Sequence, residues 1–362
     1  MKKLTVSIYL FTVVAFICLA CNTARSSGSS SPLQAPQKRG NVAILIFKGV
    51  QIIDYTGPYE VFGGARFNVY TVAEKAEPIT TAMGMTVTPS YSFSDSPKPD
   101  VLVLPGGGGF RPGDGGVGNQ LENPAVIKWI QDNAKEAKFV LTVCNGAFFA
   151  AKAGLLDGLE ATTFYGMIDA LKTFAPKTKV VSDKRYVDNG KIITTAGLSS
   201  GIDGSLYLVS KMFGKGTAQA VALNMEYNWD PESKYARAAL ADKYMRFAYD
   251  GIEAESLSRA GGTDHWENKW LVKSEAPAAE IMEIINKTLA ENKTFAQTAI
   301  KWVRQDSGKA GDATKSLWKF TDENGKSWVG MASLQPVAGE KSKFVMSVKI
   351  ARSDVAARLQ AQ

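Results

Sequence analysis

The chain has 362 residues, 45% of them hydrophobic and 21% charged, with a formal net charge of +7. That length exceeds one average domain and favours two, and the apolar share is ample for real hydrophobic cores. Lysines and arginines are scattered among aspartates and glutamates instead of forming runs, which argues against a nucleic-acid partner.

Met1-Lys2-Lys3 followed by the apolar stretch 4–20 reads as the charged and hydrophobic parts of an export signal. The stretch lies near the lower limit for a membrane span, so a retained anchor helix is the alternative. Leu19-Ala20-Cys21 resembles the bacterial lipobox, with Cys21 as the lipidated first residue of the mature chain, although Cys18 and Leu19 are atypical there. Residues 22–40 are rich in Ser, Gly and Pro and read as a flexible tether. The expectation is a signal over 1–21, a tether over 22–40, and a body exported to the cell envelope. A lipid anchor would hold that body on the membrane, facing the periplasm or on the outer membrane.

The body opens on residues 41–47 (NVAILIF), a continuous apolar run of the kind that forms a strand covered on both faces. Similar runs recur at 67–73, 101–104 and 139–143. Between the last two, residues 124–137 predict an amphipathic helix with Val126, Ile127, Ile130 and Ala134 on one face, started by Asn123-Pro124. Alternating strands and helices predict a doubly wound, mostly parallel α/β sheet, a flavodoxin-like sandwich, over 41–232. Asp188-Asn189-Gly190 marks a hairpin at its margin, and helices are expected at 201–213 and 217–227. After Asn228-Trp229-Asp230-Pro231 the texture changes. One more helix is expected at 234–246, a polar linker at 253–263, a helix at 278–289, and strands at 327–336 and 343–350. Residues 233–362 therefore read as a linker helix and a smaller α+β accessory domain, with Trp318 and Trp328 in its core and no chemistry-bearing motif.

Cys18 and Cys21 belong to the export segment, so Cys144 is the single thiol of the body. An exported domain would use cysteines in pairs, and keeping one alone points to its chemistry. It stands where the run 139–143 ends and an alanine-rich helical pattern begins, a turn expected to aim helix N–H groups at the sulfur and lower its pKa. Ligands of open parallel sheets sit beyond the carboxyl ends of the strands. Two further pieces fall there: Pro105-Gly106-Gly107-Gly108-Gly109, able to offer bare backbone donors, and Asp54, a carboxyl group able to hold or deliver a proton. Singly, each has a plainer reading, as a small buried hydrophobe, a turn and a helix cap. Together they favour a nucleophile site.

Residues 42–231 resemble the ThiJ/PfpI superfamily, whose fold is similar to class I glutamine amidotransferases, and in particular its isonitrile hydratase-like branch. The resemblance rests on GVQIIDYTGPYEVF (49–62), DVLVLPGG (100–107), VLTVCNGAFFAAKAGLLDGLEATT (140–163), IITTAGLSSGID (192–203) and MEYNWDP (225–231). It implies that Cys144 is a nucleophile, that Asp54 is its acid–base partner, and that the backbone of Gly107 and Gly108 donates hydrogen bonds toward it. Asn145 stands where the hydratase branch has a catalytic threonine and other branches a histidine, and would orient substrate or water. Phe164 and Tyr165 replace a common His-Trp pair. The only histidine, His265, lies outside this region, so a Cys-His-acid triad within it is impossible. No metal or organic cofactor is implied.

The function expected is cysteine-dependent hydration or hydrolysis of a small carbon–nitrogen electrophile. The alternatives are a redox or stress-response protein in which Cys144 is reversibly oxidised, and a non-catalytic ligand-binding module. The partners expected are a small-molecule substrate or oxidant, a membrane through the lipid anchor, and a second copy of the chain in a homodimer.

Overall fold

Apolar runs without polar alternation need cover on both faces, and a parallel sheet provides it. The computed structural model describes residues 39–109, 115–245, 249, 251–291, 300–305 and 313–359. The expected signal, lipidated Cys21 and most of the tether lie outside the described residues.

The first sheet is built from β1 (Asn41–Leu45), β2 (Asn68–Ala73), β3 (Tyr91–Ser92), β4 (Val101–Leu104), β5 (Phe139–Thr142), β6 (Tyr186–Asp188) and β7 (Ile192–Thr195). Its order is β6-β7-β5-β4-β1-β2-β3. Every neighbouring pair is parallel except β6–β7, the hairpin whose tip is Asn189-Gly190, with Gly190 at φ 85°. Helix α1 (Ile52–Gly64) follows β1. Helix α2 (Pro124–Glu136) precedes β5, with Asn123 Oδ1 accepting from Ala125 N–H at 3.0 Å and Val126, Trp129, Ile130 and Ala134 buried. Helix α3 (Ala147–Lys152) follows β5, and α4 (Ser200–Phe213) follows β7. Gly57 lets α1 close on α4, since a Cβ there would stand 2.9 Å from Ile202 Cγ1. The chain thus has an α/β fold with a mostly parallel sheet, and a second, antiparallel sheet in the C-terminal region.

That second sheet runs β8 (Ala254–Gly261), β9 (His265–Lys273), β10 (Val303–Arg304), β11 (Lys315–Thr321), β12 (Ser327–Pro336) and β13 (Lys343–Arg352), in the order β8-β9-β13-β12-β11-β10. Its core joins Trp270, Trp302, Trp318, Phe320 and Trp328 to Ile281, Ile285 and Leu289 of α5 (Ala278–Ala290). A separate core spans Val42 to Trp229.

Two expectations fail here. The helix expected over 234–246 is not formed by its described residues, 234–245: Arg237–Ala239 and Ala241–Tyr244 are short 3₁₀ turns on either side of an extended Leu240. Other pairings win over the helical ones: Arg237 forks onto both oxygens of Asp242, five residues on, and the Ala241 N–H donates outside the segment to Gly262. Residues 253–263 are not a linker either. They carry β8, exposed along its whole length and paired with β9, so an edge strand with two wet faces has the composition of a loop.

Gly146→Ala is expected to cost about 3 kcal/mol in urea unfolding, because the added Cβ would stand 2.0 Å from the Leu104 carbonyl oxygen. Gly63→Ala, in α1 with nothing within 4 Å, is expected to gain about 0.5 kcal/mol.

Candidate active site

Cys144 follows β5 by one residue and adopts φ 59°. The left-handed region costs a non-glycine residue about 1–2 kcal/mol, so its neighbours must hold it there. The Cys144 N–H donates to Ala196 O at 2.9 Å, the Gly146 N–H turns back onto Val143 O at 2.9 Å, and Thr163 Oγ1 donates to the Cys144 carbonyl at 2.8 Å. The sharp turn carries the sulfur out of the strand to the carboxyl end of the sheet, where the residue is 8% exposed.

Asp54 lies in the first turn of α1 and is fully buried. Its Oδ2 accepts from the Gly106 N–H at 3.2 Å, while Oδ1 is left without a fully formed hydrogen bond. Cys144, Asp54 and Asn145 meet over the α-carbon of Gly106. A side chain there would stand 2.2 Å from Asn145 Oδ1, 2.9 Å from Asp54 Oδ2 and 2.9 Å from Cys144 Cβ. With Gly106 itself, three separate segments of the chain are thereby brought to one point.

Burial pushes the Asp54 carboxyl up from 3.8 to about 7, against the pull of the Cys144 thiol and the N–H groups of Gly106 and Leu198. Burial, and then the charge of Asp54, push the Cys144 thiol well above its ordinary value, while the N–H groups of Asn145 and Leu198 favour its anion. The expected lowering of the thiol pKa is therefore corrected. Only a three-residue 3₁₀ turn and the six-residue α3 follow the sulfur, too little helix to outweigh desolvation beside a carboxylate. The pair is a proton-sharing couple in which the carboxyl group titrates near neutrality.

The glycine loop has a different duty from the one expected. The Gly107 N–H donates to Asn145 Oδ1 at 2.9 Å, and the Gly108 N–H to Gly49 O at 2.9 Å. Neither amide is free to face the sulfur. Glycine is needed for close approach instead: Gln51 N–H donates to Gly106 O at 2.9 Å, Val50 bridges Gly107, and a Cβ on Gly107 would lie 2.4 Å from Gly49 O. Asn145 is likewise committed, since its Nδ2 donates to Gly107 O at 2.9 Å. Its side chain straps the glycine loop to the Cys144 turn, and only its backbone N–H faces the thiol.

Two participants escaped the sequence reading. Thr163 carries no signal beyond its place in a matching segment. Leu198, at φ 57°, acts through its backbone N–H, which the residue type does not reveal. The Phe164 ring packs on Gly197, where a Cβ would lie 2.5 Å from Phe164 Cδ2, and Tyr165 stands 4.4 Å from that ring. His265 sits in β9, its Nδ1 2.8 Å from Asp264 Oδ1. Among the described residues no group of three or more His, Cys, Asp or Glu side chains is placed to hold a metal.

Because folding keeps Asp54 protonated up to about pH 7 while the unfolded chain releases that proton near 3.8, this group's contribution to stability falls as pH rises between those values. Asp54→Asn removes the effect. The unfolding free energy of the variant relative to wild type is expected to rise across that window by up to about 1.4 kcal/mol per pH unit, read from urea titrations at several pH values.

The model of the DJ-1/PfpI family matches residues 40–211. An isonitrile hydratase of Pseudomonas putida is 34% identical over 187 residues, which cover 51% of this chain and 78% of that one. A Parkinson disease protein 7 homolog of Danio rerio is 27% identical over 183 residues, covering 49% and 92% of the two chains. A crystal structure of a ThiJ/PfpI family protein from Pseudomonas syringae is 27% identical, with a TM-score of 0.49 over 58% of this chain and 85% of that one. On the match of the family model and the extent of the hydratase relative, the chain belongs to the DJ-1/PfpI family.

Proposed function

We propose that the chain is a cysteine-dependent hydratase or hydrolase acting on a small carbon–nitrogen electrophile, with isonitriles as the substrate class. The observation that carries this reading is the buried Cys144–Asp54 couple, whose carboxyl group titrates at about 7. A group poised there serves as base and as acid at neutral pH. The isonitrile hydratase relative supports the substrate class.

In the proposed reaction the Asp54 carboxylate takes the thiol proton as the Cys144 sulfur bonds to the terminal isonitrile carbon. Asp54 then passes that proton to the same carbon, leaving a thioimidate in which sulfur and hydrogen have added to it. Water next attacks the thioimidate carbon, losing a proton to Asp54, which delivers it to the nitrogen. The carbon–sulfur bond breaks, the hydroxyl proton returns to the sulfur, and an N-substituted formamide leaves. The N–H groups of Leu198 and Asn145 would stabilise charge on the sulfur as it attacks and departs.

A second reading draws on the same pair. Oxidised Cys144 has no second thiol among the described residues to condense with, so a sulfenate or sulfinate held by Asp54 and the two backbone donors would persist.

The test follows formamide production from a simple alkyl isonitrile. Wild type is expected to turn over, Cys144→Ser to lose activity entirely, and Asp54→Asn to lose about 10²–10⁴-fold in kcat. No turnover by wild type, with peroxide adding oxygen at Cys144 alone, would replace the hydratase reading with the oxidation reading. Neither response would leave a binding module.

The proposal for localisation is export with lipid on Cys21, supported by the short apolar segment ending at Leu19-Ala20-Cys21. Mass spectrometry of the mature chain is expected to find an acylated Cys21 at its N-terminus. An unmodified terminus downstream, or an intact Met1, would overturn it.

A further inference from the structure

The loop 196–199, between β7 and α4, is gripped at both ends by one residue. The carbonyl of Arg185 accepts the Ala196 N–H at 2.9 Å. Its guanidinium donates through Nη2 to Ser199 Oγ at 3.0 Å and through Nε to Asp203 Oδ2. The other oxygen of Asp203 accepts from Tyr227 Oη at 2.9 Å, and the Tyr235 ring lies 5.6 Å from the guanidinium carbon. The Arg185 and Asp203 side chains are 14% and 11% exposed. Desolvating such a pair offsets most of its Coulomb gain, so global stability is a weak reason for it, whereas a planar fork that fixes several acceptors at once is a good device for position.

The gripped loop is the one that serves the Cys144–Asp54 pair. The Ala196 carbonyl receives the Cys144 N–H at 2.9 Å and so supports the left-handed turn under the sulfur. Leu198 is left-handed as well, at φ 57°, and the side chain that this conformation disfavours is 41% exposed. Packing of the leucine therefore does not hold the strained backbone in place. Its N–H is the backbone donor that faces both Asp54 and Cys144.

We propose that Arg185 is a positioning residue for the reactive pair: by clamping Ala196 and Ser199 it keeps the Leu198 N–H trained on the sulfur and the carboxyl group, where negative charge develops. It touches neither reacting atom. The inference rests on the reading that Cys144 and Asp54 react as a pair, and it holds for any electrophile that the sulfur attacks.

The experiment measures the rate of Cys144 alkylation by iodoacetamide against pH in the full chain, for wild type and for Arg185→Ala, Arg185→Lys and Ser199→Ala. Ser199→Ala leaves the buried pair intact and removes only the bond to the loop. It is expected to slow alkylation at neutral pH several-fold and to raise the midpoint by about 0.5 pH unit, the equivalent of one modest hydrogen bond. Arg185→Ala is expected to go further, to about tenfold in rate. Arg185→Lys should fall between, since an ammonium reaches Asp203 but lacks the fork that also reaches Ser199. A merely structural role would lower stability without moving the midpoint. Wild-type rates and midpoints in both Ser199→Ala and Arg185→Lys overturn the inference, and Ser199→Ala alone decides if Arg185→Ala does not fold. Failure of the substrate reading looks different: wild type would alkylate in the expected order against its variants yet hydrate no isonitrile.

Discussion

Asn145, Asp54 and Cys144 crowd the space above the α-carbon of Gly106, each within 2.9 Å of where a side chain would begin. Such packing is available only if the backbone between β4 and the following loop has no Cβ, and it determines much else nearby. Asp54 can then reach the Gly106 N–H, Asn145 can bond Gly107 at both ends, and the loop after β1 can lie against the glycines. With water excluded, the carboxyl group loses the solvation that keeps an ordinary aspartate ionised at pH 7.

The chemical consequence is that thiol and carboxyl compete for protons. Helix dipoles and isolated positive neighbours would produce a permanent thiolate, and this site has little of either. A carboxylate beside a buried thiol resists a second negative charge, so in the proposed reaction the sulfur would be activated as its proton moves to Asp54, not beforehand. General-base activation of this kind suits a buried thiol, because a standing thiolate is open to oxidants whereas a protonated thiol is not. The two backbone donors, Leu198 and Asn145, then matter most after the proton has moved.

Where side-chain chemistry carried the information, the sequence was legible. The apolar runs marked four parallel strands, Asn123-Pro124 marked the start of α2, and Cys144 and Asp54 fall together as their places after β5 and β1 imply. What failed was backbone accounting. Gly107 and Gly108 looked like free donors because the text does not show that Asn145 Oδ1 and Gly49 O claim them. Leu198 was invisible for the converse reason, a backbone donor on an unremarkable residue. In the C-terminal sheet, buried Asn268 and Ser316 occupy inward positions of β9 and β11, which breaks the apolar alternation that would have marked those strands. Trp266 Nε1 and Trp318 Nε1 donate to these two side chains at 2.9 Å, so polar residues there meet the indole N–H groups that a buried tryptophan must satisfy.

The segment that joins the two cores also bears on the site. Tyr235 covers the Arg185 guanidinium, and Arg237 stacks 4.6 Å from the Tyr165 ring while its fork is held by Asp242. Tyr165 touches Phe164, which fills the space beside Gly197. Two aromatic–guanidinium contacts therefore lead from residues 235–242 to the two sides of the loop 196–199, one through Arg185 and one through Phe164. A helix over 234–246 would have turned Arg237 and Asp242 to its own backbone geometry, whereas 3₁₀ turns broken at Leu240 free both side chains for these contacts. The first residues of the C-terminal region thus contribute to the rim of the active-site loop, so the loop's conformation depends on packing from outside the parallel sheet as well as on Arg185 within it.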